Sequence, residues 1–329
     1  MDIHVKSVIM GIHFKVTSRF HYSKLKQNEK RIYEKVAAAW LNYSDSVVLL
    51  SAFQCDFQKV FDALNYDYPE LFYVDFSNIV ITQFAGSAHV RTSFLYSKAE
   101  CERLKCQIND KISTILSNID KKNPERCIHD FLAENVSYAY NTLDASVHSI
   151  KATILDGSAV CEGYAKTFKL LCDVVNIPCM VVGGTAFSPT NSVERHSWNI
   201  VHLKTGNYNV DVTWDSCIGN SLHPYYNASD NLFSIDHRWD RNYYPRCNLI
   251  NSFEEKIIEI ADEKTLNQIL KKFCLAPSSK LIIRPLYAVD QRKNLLQIIT
   301  NKINSIKCSS SIQTLLIPGM MCVVLIPVL

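Results

Sequence analysis

Several patterns that mark common classes of binding site are missing from this sequence. It contains 12 cysteines, but no two of them have the CxxC spacing of a zinc or redox site. It has no EF-hand loop and no dense acidic cluster, so a calcium site is not indicated. Its net charge of +3 includes no long basic run, which argues against binding to nucleic acid or to a membrane surface. The sequence therefore predicts a protein that uses no metal and no other cofactor.

The two ends of the chain also lack clear targeting segments. Residues 1–16 are mildly apolar, but histidines and lysines interrupt them, so the apolar centre of a signal peptide is missing. The cysteines are scattered, which is typical of reduced thiols in a cytosolic protein and less typical of a disulfide framework. These features predict a cytoplasmic location.

The last segment, 308–329, carries no charge and is strongly apolar. Pro318, Gly319 and Pro327 divide it into pieces shorter than the roughly 20 residues of a membrane span. We expect buried terminal strands here and no membrane partner, with a tail anchor as the alternative.

What the sequence does contain is a predicted helix that begins near a cysteine, in GSAVCEGYAKTFKLLCDVVNIP at 157–178. Apolar residues recur there at intervals of three and four, and Cys161 lies on that apolar face. Cys161 would lie in the first helical turn, beside unpaired backbone N–H groups and the positive end of the helix dipole. This environment favours the thiolate, the nucleophilic form of cysteine. An ordinary buried cysteine is the alternative.

Two predicted strands follow in RHSWNIVHLKTGNYNVDVTWD, joined by a short polar turn at 204–207. His196 lies on one face of the first strand, and Asp211 and Asp215 share a face of the second. A thiol, a histidine and an aspartate arranged in this way have the layout of a nucleophile, its base and the carboxylate that orients the base.

The strand geometry raises one difficulty. If the turn were centred on Thr205 and Gly206, Asp211 would lie roughly 13 Å along the strand from His196. A bulge or an irregular turn would have to close that gap. Asp215 lies nearer in the ideal register and is the reserve orienting carboxylate.

These segments resemble the transglutaminase-like superfamily and its papain-like cysteine peptidase relatives, in the bacterial branch. The resemblance is carried by AVCEGYAKTFKLL at 159–171, HSWNIV at 196–201 and VDVTWD at 210–215. Further matching segments lie, in the family's order, at 68–75, 128–140 and 225–247.

The resemblance implies that Cys161 is the nucleophile, His196 the general base and acid, and Asp211 the residue that holds the imidazole. It also implies an α+β fold with a papain-like core, in which the nucleophile helix packs on an antiparallel sheet. The expected reaction is thiol-dependent acyl transfer at peptide or glutamine carboxamides. Peptidase-type hydrolysis is preferred over transfer to an amine, and the expected partner is a protein or peptide substrate.

The pattern of elements suggests three regions. Residues 1–122 form an N-terminal helix and hairpin region packed on the core, 123–250 the catalytic core, and 251–329 a small α/β appendage. The elements expected in the outer regions are helices at 25–43, 97–118, 253–272 and 290–304, a hairpin at 78–96 and a strand at 281–289.

Two other functions remain open at this point. One is a non-catalytic binding module that keeps the fold. The other is a zinc site formed by Cys161, His196 and Asp211, which would need a fourth ligand or water.

Several neighbouring residues have a structural and a functional interpretation. His129 and His237 are interpreted as structural rather than catalytic. Trp198 and Trp214 either wall the cleft or pack in the core. The oxyanion needs two donors; the backbone N–H of Cys161 should be one. The hydroxyls that could supply the other belong to Tyr138, Tyr140 and Tyr164, although ordinary packing is favoured for each.

Overall fold

The computed structural model describes residues 19–50, 54–140, 142–187, 192–218, 222–277, 279–287, 294–306, 308–317 and 319–328. The segment 1–16, on which the signal-peptide prediction depends, lies outside the described residues. The cytoplasmic location stays a prediction. All 12 cysteines are described, and each is a free thiol.

The N-terminal region consists of helices packed beside a three-stranded sheet. Strand order in this sheet is β1-β3-β2, and both pairs are antiparallel. The predicted helices and hairpin are confirmed. The elements are α1 (Phe20–Ser23), α2 (Gln27–Leu41), β1 (Ser46–Leu49), α3 (Phe57–Asp67), β2 (Val74–Phe84), β3 (Ser87–Phe94) and α4 (Lys98–Ser117).

Polar caps explain where the longer helices of this region begin. The Asp56 carboxylate accepts a hydrogen bond from the Lys59 N–H at 3.1 Å, at the start of α3. The Ser97 hydroxyl accepts one from the Glu100 N–H at 3.3 Å, at the start of α4. Each cap satisfies a backbone donor that has no partner inside its helix.

The central region is built around one helix lying on an antiparallel sheet. Helix α6 packs on the strands β6 and β7, in a sheet whose order is β8-β7-β6-β9. Asn199 on β7 ties the two layers together, because its side-chain N–H donates to the backbone oxygen of Ala165 at 2.9 Å. The α+β fold is confirmed. The elements are α5 (Pro124–Asn135), β4 (Ser137–Tyr138), β5 (Ser158–Ala159), α6 (Cys161–Val174), β6 (Cys179–Phe187), β7 (Val193–Leu203), β8 (Gly206–Val210), α7 (Val212–Ile218), α8 (Asp230–Phe233) and β9 (His237–Arg238).

The hairpin of β7 and β8 differs from the prediction in two ways. Leu203 pairs with Gly206, so the turn contains only two residues. The second strand was predicted to continue to Asp215, and this is wrong, because β8 ends at Val210 and the chain turns into α7. Asp211 therefore lies at the junction of a strand and a helix.

The first two predicted regions, 1–122 and 123–250, share their packing. One hydrophobic cluster runs from Leu25 and Trp40 in the N-terminal region to Phe168 and Val210 in the central region. A second cluster joins the central sheet to the C-terminal region, where Met320 and Cys322 contact it. The boundaries at 122 and 250 stay predictions, but the buried surfaces continue across both.

The described part of the C-terminal region, 251–329, forms a four-stranded sheet and two α-helices. A helix was predicted at 253–272, but its first part is a strand, because Ile257–Ile260 pairs with β11 and the Asp262 carboxylate caps the helix that follows. The predicted strand at 281–289 ends at Pro285, which lacks the N–H that would continue the ladder. The elements are β10 (Ile257–Ile260), α9 (Glu263–Leu275), β11 (Leu281–Pro285), α10 (Leu295–Asn304), β12 (Ile312–Ile317) and β13 (Cys322–Pro327).

The predicted terminal strands are confirmed by β12 and β13, which pair with each other. Side chains from Met320 to Leu325 are buried. Among the described residues, no helix combines the length and the apolar character that crossing a membrane requires.

Candidate active site

Cys161 is the first residue of α6, and the local sequence determines where that helix begins. Gly157 has a left-handed φ of 66°, which a side chain would strain, and it ends the short helical segment before the nucleophile. Strand β5 then pairs with β4 in parallel and leads directly into α6. The Cys161 thiol is partly exposed and lies beside the unpaired N–H groups of the first helical turn.

His196 and Asp211 form a direct, buried hydrogen bond. The His196 Nε2 donates to the Asp211 Oδ2 at 2.6 Å. The other carboxylate oxygen, Oδ1, accepts from the backbone N–H of Trp214 at 3.1 Å, in the first turn of α7. Cys161 also makes a side-chain hydrogen bond with His196, for which the remaining ring nitrogen, Nδ1, is available. The structure thus brings the three predicted residues together.

The two-residue turn explains why the expected gap of roughly 13 Å does not occur. In the observed register Asn199 pairs with Val210. Asp211, the next residue, therefore lies opposite Trp198, two residues from His196. That is roughly 7 Å along the strand, about half the distance expected. The start of α7 at Val212 then turns the Asp211 carboxylate towards the imidazole.

The electrostatics of the pair favour a charged imidazole. Burial alone would lower the pKa of His196, but the charge and hydrogen bond of Asp211, with a further contribution from Cys161, raise it to about 10. Burial would raise the pKa of Asp211, but the charges and hydrogen bonds of His196 and His237 hold it well below its usual range. The site therefore favours a charged imidazole beside Cys161.

His237 is a second histidine on the same carboxylate, and the sequence analysis missed this contact. Its Nε2 donates to the Asp211 Oδ2 at 3.2 Å, and its Nδ1 donates to the Asp236 Oδ1 at 2.6 Å. The side chain is fully buried. The neighbouring acid at 236 and the tryptophan at 239 were the only local signals, and both fit an ordinary structural histidine equally well.

Asp215, the reserve orienting residue, lies elsewhere. Its Oδ2 accepts from the His129 Nε2 at 2.9 Å, and its Oδ1 accepts from the backbone N–H of Tyr225 at 3.0 Å. His129 also donates from Nδ1 to the Asp130 carboxylate at 2.8 Å. Both of its ring nitrogens are therefore engaged, which agrees with the structural role predicted for His129.

A cleft of about 1260 Å³ opens onto Cys161 and His196. Six residues between 142 and 149 form part of its wall. Trp239 lines the cleft, whereas Trp198 and Trp214 pack behind the His196 ring, with ring centres 6.1 and 5.4 Å away. The core-packing interpretation of those two tryptophans is the one the structure supports.

Comparison with family models gives one match. Residues 111–212 match the Transglutaminase-like superfamily, and this range contains Cys161, His196 and Asp211. This part of the chain is similar to the transglutaminase-like superfamily. No curated protein matches the sequence.

Three solved structures show distant similarity to the chain. A proposed cysteine protease from Cytophaga hutchinsonii is 16% identical, with a TM-score of 0.28, over 41% of this chain and 61% of that one. The periplasmic domain of TgpA from Pseudomonas aeruginosa, bound to ethylmercury, is 15% identical, with a TM-score of 0.26, over 39% and 56%. A TGase is 11% identical, with a TM-score of 0.29, over 56% and 52%. The chain thus spans between half and two thirds of each solved chain.

A polar cluster fixes the first turn of α6, the helix that begins at Cys161. Glu162 follows Cys161 directly, and its carboxylate pairs with the Lys166 ammonium at 2.6 Å. The Asn65 side-chain N–H on α3 donates to the same carboxylate at 2.7 Å, and the His148 ring lies 3.3 Å away. The sequence analysis missed this cluster, because Asn65 is almost 100 residues from its partner. Its effect is to hold the start of α6 against the N-terminal region.

The three tyrosines considered as oxyanion donors are now distinguishable. The Tyr164 hydroxyl donates to the backbone oxygen of Val136, so it is engaged away from the cleft. Tyr140 is 71% exposed. Tyr138 is half-buried, and burial together with the nearby Cys161 raises its pKa. Of the three, Tyr138 is the one whose environment includes Cys161.

Two sets of side chains among the described residues have ligand atoms within 4.8 Å of one another: His129, Asp130 and His223, and His196, Asp211 and His237. Cys161 belongs to neither set. Asp211 contacts one nitrogen of the His196 ring, and the Cys161 thiol lies on the side of the other nitrogen. The three side chains are therefore not directed at a single metal ion. This geometry does not support the zinc alternative.

Proposed function

We propose that this transglutaminase-like protein catalyses thiol-dependent acyl transfer at peptide or glutamine carboxamides, with hydrolysis of the acyl group as the main outcome. The observation that carries the proposal is the 2.6 Å hydrogen bond between His196 Nε2 and Asp211 Oδ2, which directs the other ring nitrogen towards Cys161. The proposed roles are nucleophile for Cys161, general base and acid for His196, and orienting carboxylate for Asp211.

In the first half of the reaction, the Cys161 thiolate attacks the carboxamide carbon and forms a C–S bond. The carbonyl electrons move onto oxygen, where the backbone N–H at the start of α6 can donate to the oxyanion. The oxyanion then collapses, the C–N bond breaks, and the imidazolium of His196 gives its Nδ1 proton to the leaving amine. A thioester and a neutral His196 remain.

In the second half, the neutral imidazole takes a proton from an incoming nucleophile. Water gives a carboxylic acid, and a primary amine gives a new amide; in both cases the C–S bond breaks and the thiolate returns. Asp211 keeps the imidazole in the same orientation through both halves, because its carboxylate is held by Trp214 and His237 as well. The open cleft admits water to the thioester, which is why we place hydrolysis first.

The test uses wild type, Cys161→Ala and His196→Gln, each incubated with a peptide library and a labelled primary amine. We expect cleaved or deamidated peptides from wild type, and none above background from Cys161→Ala. Loss of the general base in His196→Gln should slow the reaction about 1000-fold. Mass spectrometry measures both kinds of product.

Cys106→Ala is the matched control, because Cys106 is exposed and lies in α4, outside the cleft. It should behave like wild type. If wild type forms neither product, or if Cys161→Ala forms the same products at the same rate, the proposal is wrong and the binding-module interpretation takes its place.

A further inference from the structure

The Asp211 carboxylate is shared by two imidazoles. His196 and His237 both donate from Nε2 to the same oxygen, Oδ2, at 2.6 and 3.2 Å. The side chains of His237 and Asp211 are both fully shielded from solvent. A second donor on one oxygen restricts the rotation of the carboxylate more than the His196 bond does alone.

His237 is itself held in place on every side. It lies on β9, where it pairs with Ala186 of β6. Its Nδ1 donates to Asp236 Oδ1 at 2.6 Å, and Asp236 Oδ2 accepts from the Tyr225 hydroxyl at 2.7 Å. Around the ring pack the aromatic side chains of Trp198, Trp214, Tyr225 and Phe233, with ring centres 4.5 to 5.7 Å away.

Both ring nitrogens of His237 face carboxylates, so both must carry a proton. The resulting imidazolium neutralises Asp236 and donates to Asp211 at the same time. Without that charge, the buried Asp211 carboxylate would lose one of the two imidazoles that hold its pKa low, which would favour its protonated form. If Asp211 were protonated, it would no longer stabilise the imidazolium of His196.

We propose that His237 is a positioning residue of the site, a second imidazole that keeps Asp211 ionised and aimed at His196, with Asp236 as its counter-ion. This inference rests on the proposed function, since it concerns the same thiol and base. His237 does not line the cleft. Its hydrogen bond to Asp211 and its ring contact with His196, with centres 5.4 Å apart, are its links to the site.

The C-terminal region completes this arrangement. Gly319, in the turn between β12 and β13, lies so close to Asp236 that a Cβ atom there would overlap the carboxylate, the Trp214 ring and the Tyr225 hydroxyl. The adjacent Met320 is fully buried in the same cluster as Trp198 and Phe233. Residues beyond 250 therefore close the back of the buried network that supports Asp211.

The test is the rate at which iodoacetamide alkylates Cys161 at pH 6, followed by mass spectrometry of the Cys161 peptide in the full-length protein. The exposed Cys106 in the same digest is the internal reference. We compare wild type with His237→Phe, which keeps a ring but no donor, and with His237→Gln, which keeps an N–H donor for Asp211.

We expect wild-type Cys161 to react at least about tenfold faster than Cys106 because of its thiolate character. His237→Phe should lose about tenfold of that advantage, and His237→Gln should recover part of the loss. A merely structural role would affect the two variants alike once each is shown to be folded by circular dichroism and denaturant unfolding. Equal rates in the two folded variants, or wild-type rates in both, would overturn the inference.

If His237→Phe does not fold, Asp236→Asn replaces it, because it removes the counter-ion at almost unchanged volume. It should slow Cys161 alkylation several-fold, and an unchanged rate would count against the inference. The two proposals remain separable. A wild-type Cys161 no faster than Cys106 contradicts the proposed function, whereas a fast wild type with unaffected variants contradicts only the role of His237.

Discussion

Two of the buried histidine–aspartate pairs among the described residues have a similar geometry and differ in what the second ring nitrogen of the histidine contacts. His196 donates from Nε2 to Asp211 at 2.6 Å, and His129 donates from Nε2 to Asp215 at 2.9 Å. The two carboxylates are four residues apart, at the start of α7 and within it. Both pairs are almost completely shielded from solvent.

The difference lies in the second ring nitrogen. The Nδ1 of His129 donates to Asp130 at 2.8 Å, so this ring is enclosed by carboxylates. The Nδ1 of His196 faces Cys161, and both residues line the cleft. A histidine–aspartate pair can thus be a structural ion pair or an acid–base pair, and the residue at the other nitrogen decides which.

The largest expected difference between the pairs comes from neutralising each carboxylate in turn. Asp211→Asn should lower turnover about 100-fold or more, because the imidazolium of His196 loses its partner. Asp215→Asn should leave the rate per folded molecule close to wild type but reduce the free energy of unfolding by about 3 kcal/mol, because His129 keeps a buried charge with one partner fewer. Urea unfolding and Cys161-dependent turnover measure the two effects.

The prediction would be wrong if the two substitutions changed turnover and the free energy of unfolding in the same way. A large loss of turnover in folded Asp215→Asn would mean that the His129 pair also takes part in the reaction. Full turnover in folded Asp211→Asn would remove Asp211 from the site.

The second prediction concerns pH. Burial would lower the pKa of His129, but hydrogen bonds and charge from Asp130 and Asp215 raise it from 6.5 to about 9. Since the pKa in the folded state is the higher one, the stabilisation is complete below pH 6.5 and is lost as the pH rises through about 9. We expect wild type to lose on the order of 2 kcal/mol more than His129→Gln between pH 7 and pH 9.

Denaturant unfolding of both proteins at several pH values tests this expectation. The raised pKa of His196 contributes equally to both, so the difference between the curves isolates His129. Parallel curves would show that the His129 pair does not hold an extra proton.

The smallest expected effect comes from Gly319→Ala, which should affect the pair of His196 and Asp211 but not the pair of His129 and Asp215. The new methyl group would press on Asp236 and Trp214, so stability should fall by about 1–2 kcal/mol and Cys161 alkylation should slow a few-fold. Met320→Leu is the neighbouring control, since it conserves volume and adds no atom near Asp236. The pH dependence that His129 confers should be the same in both variants, and a change in it would contradict the separation of the pairs.

Much of the site could be predicted because its parts carry strong local patterns. The apolar period of α6 and the small-residue turn before it located Cys161 at a helix start. Alternation in β7 placed His196 on one face of its strand. These features depend on residues close together in the chain, where spacing limits the possible structures.

Other features could not be read from local patterns. Apolar and polar residues alternate in the segment VDVTWD as they would in a strand. The chain nevertheless leaves the sheet at Asp211, because the Asp211 carboxylate accepts a hydrogen bond from the Trp214 N–H and caps the first turn of α7. The start of the C-terminal region was predicted as a helix, although Ile257–Ile260 pairs with a strand more than 20 residues later. In both cases a distant partner or a side-chain cap overrode the local preference.

By itself, the amino-acid sequence determined the candidate residues: a cysteine at a helix start, a histidine on a strand and an aspartate one hairpin later. Only the tertiary structure decided which aspartate meets which histidine, and it assigned Asp211 to His196 and His237, and Asp215 to His129. The physical reason is that a hydrogen bond requires atoms within about 3 Å. A shift of the turn by one residue changes the cross-strand partner by two residues, or roughly 7 Å, so the choice of partner depends on a register that local sequence does not specify.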